Sequence, residues 1–265
     1  MSFPGIPEEA LAALEEPNPF DVGLLRKHVA PLASPPDAPL ASILAYGRLL
    51  LAANQIVNLT GARDWETLIE AHLVDCLEAA RFVPEDARVI ADWGSGGGLP
   101  GLVWAGVFPD KRILLCERRG KRAEFLEEAL MRLEFFHAEG LSGQAEEELR
   151  MEGEVDLIVA RAVESPAKLL QRVRRNKVRF GTLFLMAGPR FASAMIWLIA
   201  NKKIPKVYMS KDPDYKVLAK QLDKGMNKRI NHLTPILDSN HARHVSGLHY
   251  YVSVMATDPP SQGKG

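Results

Sequence analysis

From residue 88 onward, short apolar runs alternate with longer amphipathic stretches, and this rhythm limits the fold more than any other feature. RVIAD (88–92), RILLCE (112–117), VDLIVAR (155–161) and GTLFLMAG (181–188) have the length and composition of strands. EFFHAEG (134–140) reads as one more. LPGLVWAGVF, KRAEFLEEALMRL, QAEEELR and SPAKLLQRVRRN lie between or after them and have helical spacing. Such alternation implies βαβ units and a parallel sheet covered on both faces. Beyond it, PRFASAMIWLIAN (189–201) is expected to be a helix, and KVYMS (206–210) and LHYYVSVMA (248–256) the last strands. A polar, basic segment (211–245) separates that last pair where a packing helix would stand, so an antiparallel closing strand is expected. The fold class predicted is α/β: Rossmann-like, with a seven-stranded, mostly parallel sheet.

The residues before this region read as helices. EEALAALEE is a short helical stretch and PLASPPDAP (31–39) a linker. Helical spacing recurs over 40–56 and again over 65–80, with Asp64 as N-cap of the second. The expected organisation is an N-terminal extension and linker (1–39), a helical cap (40–87), the ligand-binding domain (88–256) and a tail (257–265). The chain has 265 residues, 47% of them apolar, which supports a sizeable core. It has no apolar run long enough to span a bilayer, and its first residues are acidic, without a basic leader. A cytoplasmic, monomeric protein with no membrane partner is expected. Cys76 and Cys116 are the only cysteines, too few for a disulfide framework or a zinc cluster, and no metal site is expected.

Charge is divided unevenly. Residues 1–160 carry 14 Lys/Arg against 27 Asp/Glu, a balance of −13, and residues 161–265 carry 19 against 6, a balance of +13. A basic second half suits a polyanionic partner.

The stretch DWGSGGGLPG (92–101) sits between a strand and a helix. Gly96, Gly98 and Gly101 satisfy the dinucleotide pattern G-x-G-x-x-G, while Asp92, Gly94, Gly96 and Gly98 satisfy D-x-G-x-G-x-G, which suits S-adenosyl-L-methionine. Either ligand would place an anionic group at the helix N-terminus. Glu117, at the end of the second strand, can accept ribose hydroxyls from either. Asp92 discriminates: it would repel a pyrophosphate and attract sulfonium and ammonium groups.

Taken in order, these motifs resemble those of the glucose-inhibited division protein B family, the bacterial guanine-N7 methyltransferases of small-subunit ribosomal RNA. Asn58-Leu59-Thr60 resembles the family's N-L-T element, and His72-Leu73-Val74-Asp75 its H-x-x-D element. Residues 92–101 resemble D-x-G-S/T-G-x-G-L-P-G. Gly120-Lys121-Arg122 with Phe125-Leu126 resembles G-K-R...F-L, and Arg161-Ala162 resembles S-R-A. The match covers roughly residues 50–190. There are departures: Ala187-Gly188 stands where the family has Lys-Gly, Gln144 where arginine is common, and Arg118-Arg119 after the acid where a small residue is usual.

The resemblance implies a class I methyltransferase fold and S-adenosyl-L-methionine held by Asp92, Gly94, Ser95, Gly96, Gly98, Leu99, Glu117, Ala145, Glu146 and Arg161. The backbone at Gly94 and Leu99 would line the methionine end, with Glu117 at the ribose and Ala145-Glu146 at the adenine. Arg161 and Asn58 are the candidate catalytic residues. Two roles fit each: Arg161 contacts cofactor or base, or forms a rim salt bridge; Asn58 contacts cofactor or guanine, or caps a turn. The implied partner is 16S rRNA or a small ribosomal subunit particle. Arg172, Arg174, Arg175, Lys177 and Arg179, with the basic stretch 216–229, are candidates for a phosphate-binding face. Calorimetric titration with each cofactor separately distinguishes the two readings of the turn: S-adenosyl-L-methionine is expected to give a saturable heat and NAD none, and the reverse would support a dinucleotide site.

Overall fold

The computed structural model describes residues 2–161, 163–164, 166–186 and 195–199. They fall into two compact units, one ending at Glu148 and one starting at Leu149.

The first unit opens with helices. α1 (Glu8–Ala13) and α2 (Pro19–Val29) both pack on α3 (Asp37–Ala53), and α2 also packs on residues 74–80. Asn18 caps α2 by accepting the Asp21 N–H at 2.9 Å. Asp64 caps α4 (Trp65–Leu68) by accepting the Thr67 N–H at 2.8 Å. That backbone hydrogen bond, reinforced by the Thr67 side chain, holds the Asp64 carboxyl below its ordinary value of 3.8. The folded value is the depressed one, so this exposed cap helps fully above about pH 4 and less as the pH falls below it. The helix continues through a π-helical turn (Ile69–Leu73) into α5 (Val74–Ala80), so the single helix expected over 65–80 carries a wide turn at its centre.

The residues before the 31–39 stretch make specific contacts with later elements. Phe3 meets Phe125 edge-on, with ring centroids 6.2 Å apart. The Phe3 N–H reaches the Glu124 carboxylate, the Ile6 N–H lies 3.2 Å from Glu128, and Glu8 pairs with Arg132 at 2.6 Å. Trp65 Nε1 donates to the Glu15 carbonyl at 2.8 Å, and Arg48 Nη1 donates to the Leu11 and Leu14 carbonyls. Leu25 and Val29 of α2 are wholly buried.

After the helices come β1 (Val89–Trp93), α6 (Gly101–Val107), β2 (Arg112–Cys116), α7 (Gly120–Arg132), β3 (Ala138–Leu141) and α8 (Ala145–Glu152), the last crossing into the second unit. β1 pairs in parallel with β2, and β2 with β3. The strand expected over 134–140 begins only at Ala138, because Glu134 takes a left-handed φ of 55° and leads a turn in which Phe136 is exposed. The central strand is apolar on both faces, Ile113–Leu115 being fully buried, as a doubly covered parallel strand requires.

The second unit holds β4 (Glu154–Arg161), α9 (Pro166–Arg175), β5 (Arg179–Met186) and β6 (Met195–Ile199). β4 and β5 are parallel; β6 runs antiparallel to β5, from Thr182↔Ile199 to Met186↔Met195. The helix expected over 189–201 is therefore corrected: its MIWLI run is a strand. A five-residue apolar run has no periodicity to separate helix from strand, and its β-branched and aromatic content favours the strand. Among the described residues the sheet strands number five in parallel pairings plus this antiparallel one, not seven. The strands expected at 206–210 and 248–256, and the basic segment 211–245, lie outside the described residues. The fold is Rossmann-like: parallel strands with helical crossovers.

Gly47 shows how tightly the helices pack. A Cβ there would lie 2.6 Å from the Trp65 ring, whereas a Cβ on exposed Gly23 in α2 would meet nothing within 4 Å. Overpacking costs about 1–3 kcal/mol, more than the gain of up to about 1 kcal/mol in helix propensity. Gly47→Ala is expected to lower the urea midpoint, by about 1 kcal/mol net, and Gly23→Ala to raise it by about 0.5–1 kcal/mol.

Candidate functional site

The turn after β1 is built almost entirely by hydrogen bonds to its backbone. Gly94 N and Ser95 N both donate to the Cys116 carbonyl, at 2.9 and 3.0 Å, so β2 holds the turn where β1 ends. Ser95 Oγ donates to the Asp92 carbonyl at 3.0 Å, and Gly98 N to the Ser95 carbonyl at 2.7 Å. From α3, buried Tyr46 donates its hydroxyl to the Gly97 carbonyl at 2.7 Å. Gly94, Gly96 and Gly98 have φ of +78°, +58° and +95°. Gly98 is doubly constrained, since a Cβ there would also come within 2.5 Å of Leu102. Ser95, Gly97 and Gly98 are buried, whereas Gly94, Gly96 and Leu99 reach solvent. The accessible edge of the turn is thus the backbone of Gly94, Gly96 and Leu99.

Two carboxylates flank this edge. Asp92 is buried, and its Oδ2 accepts the Gly101 N–H at 2.9 Å, capping the start of α6. The approach is so close that a Cβ on Gly101 would lie 2.7 Å from that oxygen. Glu117 follows β2 and is also buried. Its Oε2 accepts the Gly96 N–H at 3.0 Å and its Oε1 the Arg119 N–H at 2.8 Å. Each carboxylate oxygen has two acceptor sites, so Glu117 is oriented by the backbone and retains capacity for hydroxyl donors.

The N-L-T element approaches from the helical side. Its shape comes from Asn54, whose Nδ2 donates to the Thr60 and Ala62 carbonyls at 3.0 and 2.7 Å. Asn54 Oδ1 accepts the Leu59 and Thr60 N–H groups at 2.9 and 3.1 Å. Leu59 packs behind the turn, 3.2 Å from where a Gly97 Cβ would stand. Asn58 itself is exposed, and its carbonyl accepts Arg122 Nη2 at 2.6 Å. Burial, and after it the charge of Arg119, lower the Arg122 pKa from its ordinary value, while Glu117 acts to raise it.

The first unit therefore gathers Asp92, Gly94, Ser95, Gly96, Gly98, Leu99, Glu117 and, through Arg122, Asn58. Ala145 and Glu146 open α8, a short way beyond Leu141, whose carbonyl accepts the Glu117 N–H at 3.0 Å. Ala145 is buried and Glu146 half-buried. Arg161 is the last residue of β4, half-buried and in register with Met186 in the second unit. Residues 187–188 lie outside the described residues. Sequence reasoning missed Tyr46 and Asn54, and it quoted Arg122 without a role. The available signal was a polar group on a mostly apolar helix: Tyr46 within α3 and Asn54 at its end.

A family model described as "rRNA small subunit methyltransferase G" matches residues 40–195. The chain is similar to the Ribosomal RNA small subunit methyltransferase G of Halorhodospira halophila, 37% identical over 155 residues, covering 58% of this chain and 72% of that one. It is also similar to Ribosomal RNA small subunit methyltransferase G 1 of Bdellovibrio bacteriovorus, 29% identical over 178 residues, covering 67% and 84%. Among solved structures, a precorrin-6y C5,15-methyltransferase from Geobacter metallireducens is a loose likeness, with TM-score 0.37 and 19% identity over 48% of this chain and 67% of that one.

The two asparagines separate structure from chemistry. Asn54→Ala strands several buried backbone groups and is expected to lower stability by roughly 2–3 kcal/mol. Asn58→Ala, on an exposed side chain, is expected to change it by less than about 0.5 kcal/mol. Denaturant unfolding of both variants checks this.

Proposed function

Because the chain belongs to the rRNA small subunit methyltransferase G family, we propose that it methylates N7 of a guanine in 16S rRNA, using S-adenosyl-L-methionine. The observation that carries this reading is that the matched residues 40–195 include the whole built turn, Glu117 and Arg161. The substrate is free 16S rRNA or a small-subunit particle.

The residues present fit the cofactor. The solvent-reaching backbone of Gly94 and Leu99 suits the methionine end. Asp92 holds the start of α6 in place and keeps negative charge beside it, which suits a cationic ligand better than a pyrophosphate. Glu117, already oriented by Gly96 and Arg119, suits the two ribose hydroxyls. Ala145 and Glu146 are proposed at the adenine. The bound cofactor supplies an electrophilic methyl group on a sulfonium.

Guanine N7 has a lone pair and no proton. That lone pair forms the new N–C bond while the C–S bond breaks onto sulfur, leaving a cationic 7-methylguanine and a neutral thioether. No general base is required. The chain's work is to align the base, exclude water and manage the shifting positive charge. Arg161 and Asn58 are proposed as the polar side chains that position the base or the cofactor. The domain limits 40–87 and 88–256 are part of the same proposal.

The test is the modification state of 16S rRNA from cells lacking the protein, read by mass spectrometry of nuclease fragments. One N7-methylguanosine is expected to disappear and to return with the restored gene. Unchanged N7-methylguanosine would overturn the proposal.

A further inference from the structure

The ten arginines of the first unit divide into two groups. Arg26, Arg48, Arg81, Arg88, Arg112 and Arg132 each pair with a carboxylate. Among the described residues, Arg63, Arg118, Arg119 and Arg122 pair with none, and neither does Lys121. Four of the five follow Glu117 within five residues of the chain, and the fifth lies in the loop that Arg122 holds. Arg63 Nη1 lies 3.4 Å from the Thr60 carbonyl, and Arg122 Nη2 holds the Asn58 carbonyl two residues away in the same loop. Arg118 and Arg119 link Glu117 to α7, which Lys121 and Arg122 begin. All but Arg122 are exposed.

This placement is electrostatically unfavourable for the protein alone. α7 has no acid in its first turn, although the positive end of the helix dipole favours one. The nearby carboxylates bond to backbone and form no ion pair with these side chains: Glu117 accepts from Gly96 and Arg119, Asp64 from Thr67, Glu124 from Phe3. Residues 1–160 are acidic as a whole, with a balance of −13, so a cluster of unpaired cations there runs against the local charge. The cofactor does not explain them, because its sulfonium and ammonium are cationic and one carboxylate cannot match five cations.

We propose that Arg63, Arg118, Arg119 and Lys121 form a phosphate-binding rim that holds the sugar–phosphate backbone of the substrate RNA beside the methyl-transfer site. This rests on the proposed function and adds a contact surface in the first unit, away from the basic second half of the sequence. Arg122 lies behind the rim and fastens the Asn58 loop to α7, so it is a positioning residue. Rim contacts of this kind fix register without reading sequence and make affinity steeply salt-dependent.

The test uses the full chain and a transcript of 16S rRNA, with binding measured over a range of salt concentrations. The double substitution Arg118→Gln/Arg119→Gln is expected to weaken RNA binding about tenfold at about 100 mM salt and to reduce the log–log salt slope by about two. S-adenosyl-L-methionine affinity and the unfolding midpoint are expected to stay within twofold and within error of the parent. Arg118→Lys/Arg119→Lys is expected to restore most of the binding, because a phosphate rim needs point charge. The control Arg26→Gln/Lys27→Gln, on α2, removes the same charge and is expected to leave binding unchanged. Unchanged RNA affinity and slope in the 118/119 glutamine variant, with a parent that binds and methylates, would overturn the rim alone. Loss of cofactor binding in that variant would also overturn it, placing the pair in the cofactor site. A parent protein that neither binds nor methylates the RNA would overturn the underlying function and the rim with it.

Discussion

The buried hydrogen bond from Tyr46 to the Gly97 carbonyl is the constraint on which the rest of the structure depends. Four consecutive residues of the turn include three glycines, and glycine loses more conformational freedom on folding than any other residue. Such a segment keeps one shape only if its surroundings fix it. Here the carbonyl of Cys116 fixes it from the neighbouring strand, Glu117 from its end, and Tyr46 from the helical layer behind. The helices before β1 are therefore part of what shapes the turn.

How much of this was legible depended on distance along the chain. β1, β2, β4, β5, α6 and α7 were readable because the period of their apolar residues is a local property. The turn was readable because its glycines and its Leu-Pro-Gly ending are contiguous. Asn54 and Tyr46 were not, because their partners are fixed only by tertiary structure: Tyr46 and Gly97 are 51 residues apart. Attention fell on Asn58, which sits in a motif, while Asn54 shapes that motif from four residues earlier. The run at 195–199 misled for a different reason: five apolar residues fit either regular structure, and pairing with β5 decides.

Asp92 and Glu117 have a structural role that their charge alone does not reveal. The sequence argument assigned both to ligand groups by charge. In the structure each first satisfies backbone N–H groups that the turn would otherwise leave without partners, Gly101 for Asp92 and Gly96 with Arg119 for Glu117. Holding the loop and presenting negative charge are then one arrangement. Replacing Glu117 by its amide keeps the shape but exchanges one of two engaged acceptors for a donor, so structure and recognition cannot be altered separately at that position.

The N-terminal residues carry a related implication about where this protein begins as a folding unit. The family match starts at residue 40, yet the residues before it cover Phe125, accept the indole N–H of Trp65 and anchor both Glu128 and Arg132 on α7. A chain trimmed to the family boundary would uncover an aromatic edge and leave Trp65, Arg48 and α7 without these partners. The unit recognised across relatives and the unit that folds in this protein are thus different lengths. The surplus serves as a brace on the helix whose first turn faces the site.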